Sequence, residues 1–218
     1  MTIKFEVTDS EKQLRDMIMN AIVEKLNKIF KSSKQDILQE IQEIVVSGLQ
    51  QTQEYEDLTL GKLKVEFGFM MGEEKNIIDP IINRIADSIE IEMIPFKWET
   101  ARIRGGMQIK MLRADFSDIL SLPQAITKPE GYGFESIPWL EWYLGYGGQV
   151  VIRDFGIQYG VFPENSRSGY GIMVQDQGPY IVPGDNSVKD NWFTRFFSST
   201  IFEQAVFSAV ESAITRKI

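Results

Sequence analysis

Five carboxylates in the middle of the chain, Asp115, Asp118, Glu130, Glu135 and Glu141, are of the type that glycoside hydrolysis uses in pairs, although acidic residues scattered on a surface look the same. The chemistry available around them is narrow. The 218 residues include no histidine and no cysteine, which removes Ser-His-Asp triads, thiol nucleophiles and structural zinc sites. Gly145-Tyr146-Gly147-Gly148 and Gly169-Tyr170-Gly171 lack the lysine of a phosphate-binding loop and the full dinucleotide spacing, so they read as turns or strand ends. No Asp-x-Asp-x-Asp-Gly loop is present, and a carboxylate-only Mg²⁺ or Ca²⁺ site stays open. The expectation is a protein that is not an enzyme, with no catalytic residue, cofactor or metal centre.

Recognition chemistry is better represented. Trp139, Trp142, Trp192, Tyr132, Tyr143, Tyr146 and Tyr159 gather in the C-terminal part, and large aromatics with a polar atom serve both cores and subunit interfaces. Lys97, Arg102, Arg104, Lys110 and Arg113 face only Glu99, a cationic stretch that either guards a strand edge or binds a partner. Residues 35–61 contain no Lys or Arg, while Asp36, Glu40, Glu43, Glu54, Glu56 and Asp57 make them acidic, as a solvated helix face or an interaction patch. The net charge of -8 and a pI near 4.8 argue against a protein that grips nucleic acid. With 43% hydrophobic residues, the chain can bury a sizeable core without disulfides.

The elements that must position these residues follow from hydrophobic period. Thr8, Asp9 or Ser10 can cap a first helix whose apolar face is Leu14, Ile18, Ile22, Leu26 and Ile29. Lys31-Ser32-Ser33-Lys34 then reads as a break before a second helix with Ile37, Leu38, Ile41, Ile44, Val45 and Leu49, ending near Gly48. Alternation over Leu63, Val65, Phe67, Phe69 and Met71 predicts a strand, and Asp79-Pro80 predicts a helix start ahead of Ile81, Ile82, Ile85, Ala86 and Ile89. Residues 96–113 read as a hairpin turning at Gly105-Gly106. Residues 137–144 form a short helix, 149–158 a strand, and a polar loop at 166–171 enters another strand. A long helix capped by Asp190 or Asn191 closes the chain, with Phe196, Phe197, Ile201, Phe202, Ala205, Val206, Ala209, Val210 and Ile214 as its apolar stripe. The fold class expected is α+β in a single domain, 1–218: an N-terminal helix pair within 1–57, then over 58–218 a small, mostly antiparallel sheet with hairpin arms and a long C-terminal helix. The charged opening segment carries no signal-peptide pattern and no apolar run reaches about 18 residues, so cytoplasmic synthesis with no membrane partner is expected.

One ordered set of motifs goes further. Ile137-Pro138-Trp139-Leu140-Glu141-Trp142, then Val151-Ile152-Arg153-Asp154, Ser166-Arg167-Ser168-Gly169 with Ile172-Met173, Tyr180-Ile181-Val182-Pro183, and Asp190-Asn191-Trp192-Phe193-Thr194-Arg195 resembles virion structural proteins of tailed bacteriophages. Within them the set is similar to the tail-completion or neck family of the head–tail junction, over about residues 135–200. The resemblance implies a small α+β subunit, made in the host cytoplasm, that assembles into a homo-oligomeric ring, commonly a hexamer. Such a ring closes the tail and docks it to the capsid connector, meeting tail tube or sheath proteins, with DNA only passing through its lumen. Interface candidates are Arg102, Arg104, Trp139, Trp142, Arg167, Trp192 and Arg195. Arg102 and Arg104 suit a heterologous contact in which residues 97–113 of one subunit face 36–57 of the next. Arg167 and Arg195 suit bonds to carboxylates or carbonyls that fix loops. Two alternatives are a tail-sheath or baseplate component, and a glycan-binding or hydrolytic virion module using an exposed Trp139 or Trp142.

Overall fold

The computed structural model describes residues 10–111, 116–128, 136–162 and 164–218. The candidate caps Thr8 and Asp9, together with Arg113, Asp115, Glu130, Tyr132 and Glu135, lie outside them. Ser10 is the cap: its Oγ accepts from the Gln13 amide while Gln13 Oε1 accepts from the Ser10 amide, so two otherwise orphaned donors are satisfied reciprocally.

From that cap runs α1, Glu11–Gln50, a single helix of 40 residues where a helix pair was expected. The polar tetrad at 31–34 does not break it, because both serines hold helical partners. Ser32 Oγ donates to the Ile29 carbonyl, and Ser33 is wholly buried with its Oγ donating to the Ala213 carbonyl. Ile29, Ser33, Ile37, Ile41, Val45 and Leu49 continue one buried line at every fourth position. Gly48 lies inside the last turn, where a Cβ would come within 2.6 Å of the Phe196 ring, so its place reflects close packing as much as termination.

Two short helices follow, α2 at Gln53–Thr59 and α3 at Leu63–Glu66, the latter where alternation predicted a strand. Leu63 and Phe67 are one helical turn apart, and Gly68 at φ 66° reverses the chain so that Phe67 and Phe69 both point inward. α4, Glu74–Asp87, begins five residues ahead of the expected Asp79 start and carries Pro80 internally. Its buried stripe, Ile78, Ile81, Ile82, Ile85 and Ala86, closely matches the periodic residues.

β1 (Glu90–Glu99) and β2 (Arg102–Lys110) form an antiparallel hairpin that is longer than expected and turns elsewhere. The turn is Thr100-Ala101, both at positive φ, 52° and 57°, as a two-residue hairpin loop requires. Gly105 instead sits opposite Pro95-Phe96 in a β-bulge; a Cβ there would fall 2.5 Å from Phe96 Cα, so only glycine fits.

After α5 (Ser117–Leu120), a 3-10 turn (Pro123–Ala125) and α6 (Trp139–Gly145), the predicted strand 149–158 is two strands: β3, Val150–Ile152, and β4, Phe155–Tyr159. β3 pairs with β6 (Tyr180–Ile181) and β4 with β5 (Gly171–Gln175), both antiparallel. The closing helix is also two: α7, Trp192–Phe197, capped by Asn191, and α8, Thr200–Thr215, capped by Ser199. Ile201, expected in the apolar stripe, is exposed. The α+β class stands, with three two-stranded antiparallel sheets among the described residues.

That core joins the second half of α1 to α4, α6, α7 and the aromatic pair Phe67 and Phe69. α8 lies along α1, with Lys217 Nζ 2.9 Å from Asp36 and Arg216 paired with Glu40. α4 flanks α1 further on, where Gln42 Nε2 donates to the Ala86 carbonyl.

Candidate functional site

The first half of α1 extends past this core. A 40-residue helix is about 60 Å long, whereas a compact chain of 218 residues has a radius of gyration of about 17 Å. The hairpin accompanies the extension. Asn27 fastens it: its Nδ2 donates to the Phe96 carbonyl at 2.9 Å, and its Oδ1 accepts from the Phe96 amide at 2.8 Å. These are the backbone groups that the bulge leaves without a strand partner, so one helix side chain completes the sheet. Phe30 packs edge-on to Phe96 with centroids 4.7 Å apart, and nearer the tip Trp98 Nε1 donates to Asp16 Oδ1 at 2.9 Å. Helix and hairpin thus form one arm.

The arm's surface is of two kinds. Leu14, Met17, Ile18 and Ile22 are between 41% and 53% exposed, so the face that periodicity assigned to the core is open along the outer helix. The outer face of the hairpin is basic: Lys97 stands directly across from Arg104, and Arg102 across from Glu99. Like charges placed opposite one another repel, and among the described residues none of these three cations has an ion pair within 4 Å. Lys110, nearer the core, is paired with Glu92 at 2.6 Å.

The other interface candidates fall elsewhere. Trp139 and Trp192 are 0% and 1% exposed and present no surface to a neighbour, which corrects their assignment to an interface. Trp139 is enclosed by Phe67 and Phe69, and its Nε1 donates to the Gln124 carbonyl; Trp192 Nε1 donates to Thr52 Oγ1. Trp139 therefore cannot stack on a glycan. Trp142 is half-buried, its ring tilted 6.3 Å from that of Tyr180. Arg167 fixes loops, as expected: its Nη1 donates to the Lys128 carbonyl, and its own carbonyl accepts from Met71.

Arg195 is a hub. Its Nη2 reaches Glu54 at 3.0 Å and Asn186 Oδ1 at 2.9 Å, and its Nη1 reaches Asp190 at 3.2 Å, tying α7 to α2 and to the loop before α7. It lines an open cleft of about 420 Å³ with Asp57, Leu63, Tyr143, Pro183 and Asp185. Burial pushes the Tyr143 hydroxyl well above its ordinary range, and nearby Glu54 adds to the effect. With Asp36 and Glu40 engaged by α8 and Glu54 by Arg195, much of the acidic stretch 36–57 is already satisfied within the chain. Asp118 and Glu141 are the members of the carboxylate set within the described residues, and among those residues no group of three acids is placed to hold a metal ion.

Sequence reasoning missed Asn27, Asp16 and Glu66. A polar residue in the middle of an amphipathic helix was the available signal for Asn27; nothing local marks Glu66. Half-buried at the end of α3, Glu66 has its carboxyl pushed up to about 7 by burial, against the pull of Lys62. Between about pH 4.5 and 7 the folded chain therefore holds a proton the unfolded chain lacks, and stability falls as pH rises through that window. Glu66→Gln should flatten this decline in melting temperature measured from about pH 5 to about pH 8; an unchanged slope would assign the proton to another group.

Among the described residues no helix is long and apolar enough to cross a membrane. No family model matches the chain, and comparison with curated proteins and with solved structures finds no match.

Proposed function

We propose that this chain is a structural subunit of a tailed-bacteriophage virion, a tail-completion (terminator) or connector ring protein at the head–tail junction that closes the tail and docks it to the capsid connector. The observation that carries this reading is the arm. A helix and hairpin pinned together by Asn27 and Asp16, reaching past the core with Leu14, Met17, Ile18 and Ile22 in water, expose apolar area at about 25 cal/mol per Å², which a neighbouring subunit would cover. The ordered C-terminal motifs support the same reading by their resemblance to that family, and within them Arg167, Asn191 and Arg195 hold loops in place. The partners are further copies of the chain, then tail tube or sheath and head-connector proteins, with DNA only traversing the lumen.

The test is the mass of the purified protein in solution with negative-stain imaging, followed by incubation with tails that lack their terminator. Rings of about six subunits that render such tails competent for head joining are the expected result. A chain that stays monomeric alone and on tails overturns the proposal. Co-purification with sheath or baseplate away from the neck would assign it there instead.

A further inference from the structure

We infer that the arm's distal end docks on the acidic cleft of a second copy of this chain, a head-to-tail contact; the inference rests on the reading that the chain assembles with itself. Charge is the first argument. The arm, residues 10–34 and 90–110, carries ten Lys and Arg against six Asp and Glu, while the rest of the chain carries thirteen against twenty-five. One molecule thus bears a basic projection and a strongly acidic remainder, and copies attract when the projection of one meets the remainder of another. A face that met its own image would oppose Lys12 and Arg15 to the same cations, so the charges favour a heterologous contact over an isologous one.

Chemistry then selects the place on the acidic side. Asp36 and Glu40 are engaged by α8 of their own chain, which removes the segment around them as the first choice. The cleft beside Arg195 instead offers Asp57 and the exposed Asp185 around an apolar lining of Leu63 and Pro183. Arg195 does not cancel this charge, since Glu54 and Asp190 both pair with it. The outer end of α1 sets Leu14 and Ile18 beside Lys12 and Arg15, with Glu11 among them, so one face of the arm presents apolar side chains for the lining and cations for the rim. Duplex DNA would answer the cations and leave the apolar stripe uncovered, which is why protein is the occupant argued here.

The experiment uses three proteins: the wild type, the arm variant Lys12→Glu/Arg15→Glu, and the cleft variant Asp57→Lys/Asp185→Lys. Their masses are compared at low salt and at about 1 M, where the Debye length is about 3 Å. The wild type should assemble at low salt and shrink toward one chain at high salt. Each variant alone should have the mass of one chain, and an equimolar mixture should assemble again, because the basic arm of one meets the acidic cleft of the other and the reversed arm meets the reversed cleft. Since the substituted side chains could also affect folding, a second measurement keeps the question decidable. The chain has no cysteine, so Ile18→Cys in one copy and Asp185→Cys in another are unique sites for a short bifunctional maleimide. Cross-links between the two kinds of copy are expected; links only between like copies overturn the contact.

An arm variant that assembles as the wild type does, a mixture that stays monomeric, a wild type that is monomeric at low salt, or an arm variant whose sole loss is binding to duplex DNA each overturns the inference. A ring whose mass ignores these substitutions removes the contact and leaves the head–tail reading. An arm-to-cleft dimer or open chain that never completes tails removes that reading and leaves the contact.

Discussion

Trp139→Ala should lower the melting temperature by roughly 6–20 °C, through a loss of about 3–5 kcal/mol that is typical when a wholly enclosed tryptophan is truncated. Trp139 is 0% exposed. Its ring meets Phe69 edge-on with centroids 4.9 Å apart and lies 5.5 Å from Phe67, which in turn meets Tyr143 edge-on at 5.6 Å. Truncation leaves a cavity at the centre of this aromatic group. It also frees the Gln124 carbonyl, which receives the indole N–H at 2.7 Å, and an unsatisfied acceptor beside an apolar cavity adds to the cost. Trp142, three residues on and half-buried, is the control: Trp142→Ala removes one tilted contact with Tyr180 and should cost much less. Thermal or denaturant unfolding of the two variants decides the matter. Equal losses would mean that the enclosure of Trp139 contributes little; a Trp139→Ala variant that melts normally but fails to assemble would return this residue to the interface.

The same tryptophan shows what was legible in the sequence. Residue type placed it correctly among core or interface side chains, since both environments reward a large apolar ring with one donor. The choice between them needed Phe67 and Phe69, which reach it from more than 65 positions away. Local rules worked where local forces decide. The stripes of α4 and of the second half of α1, the helix at α6 and the Asn191 cap all follow from spacing and capping chemistry.

The misplacements have a common form: tertiary packing reassigned a polar or apolar residue that the local pattern had classified. Ser33 reads as a break until Ala213 supplies its acceptor. The 63–71 alternation reads as a strand, but helical turns at α3 followed by a reversal at Gly68 also bury both phenylalanines. Gly105-Gly106 reads as a turn because the bulge at Pro95-Phe96 depends on a partner strand and on Asn27 from a distant helix. In the candidate site, the basic hairpin was visible as charge, and Arg167 and Arg195 as anchors. The apolar side of the arm was hidden, because Leu14, Ile18 and Ile22 obey the same period whether or not anything covers them.

Asn191→Ala should cost about 3 kcal/mol, an unusually large loss for a helix cap, and so lower the melting temperature by roughly 6–12 °C. An ordinary cap accepts one or two amide protons. Asn191, wholly buried, uses both ends of its amide: Oδ1 accepts from the Phe193 and Thr194 amides, while Nδ2 donates to the Ser187 and Val188 carbonyls. Alanine removes one partner from each of these four backbone groups; the Phe193 amide belongs to a wholly buried residue, whereas the Ser187 carbonyl still accepts from the Asp190 amide. Two further substitutions separate the functions. Asn191→Ser retains an acceptor for the helix but is too short to serve both carbonyls, so its stability should lie between wild type and alanine. Asn191→Asp keeps the helix end satisfied and suits its dipole, yet aims a carboxylate at two carbonyl oxygens, so near neutral pH it should fare no better than serine. Hydrogen exchange at Phe193 and Thr194 reads the cap directly, and exchange around Asn186 reads its consequence, because α7 carries Arg195 and Trp192 to their partners across the cleft and on Thr52. Should the alanine and serine variants prove equally stable, the acceptor role would be negligible and the fold at this end would depend on the carbonyl contacts alone.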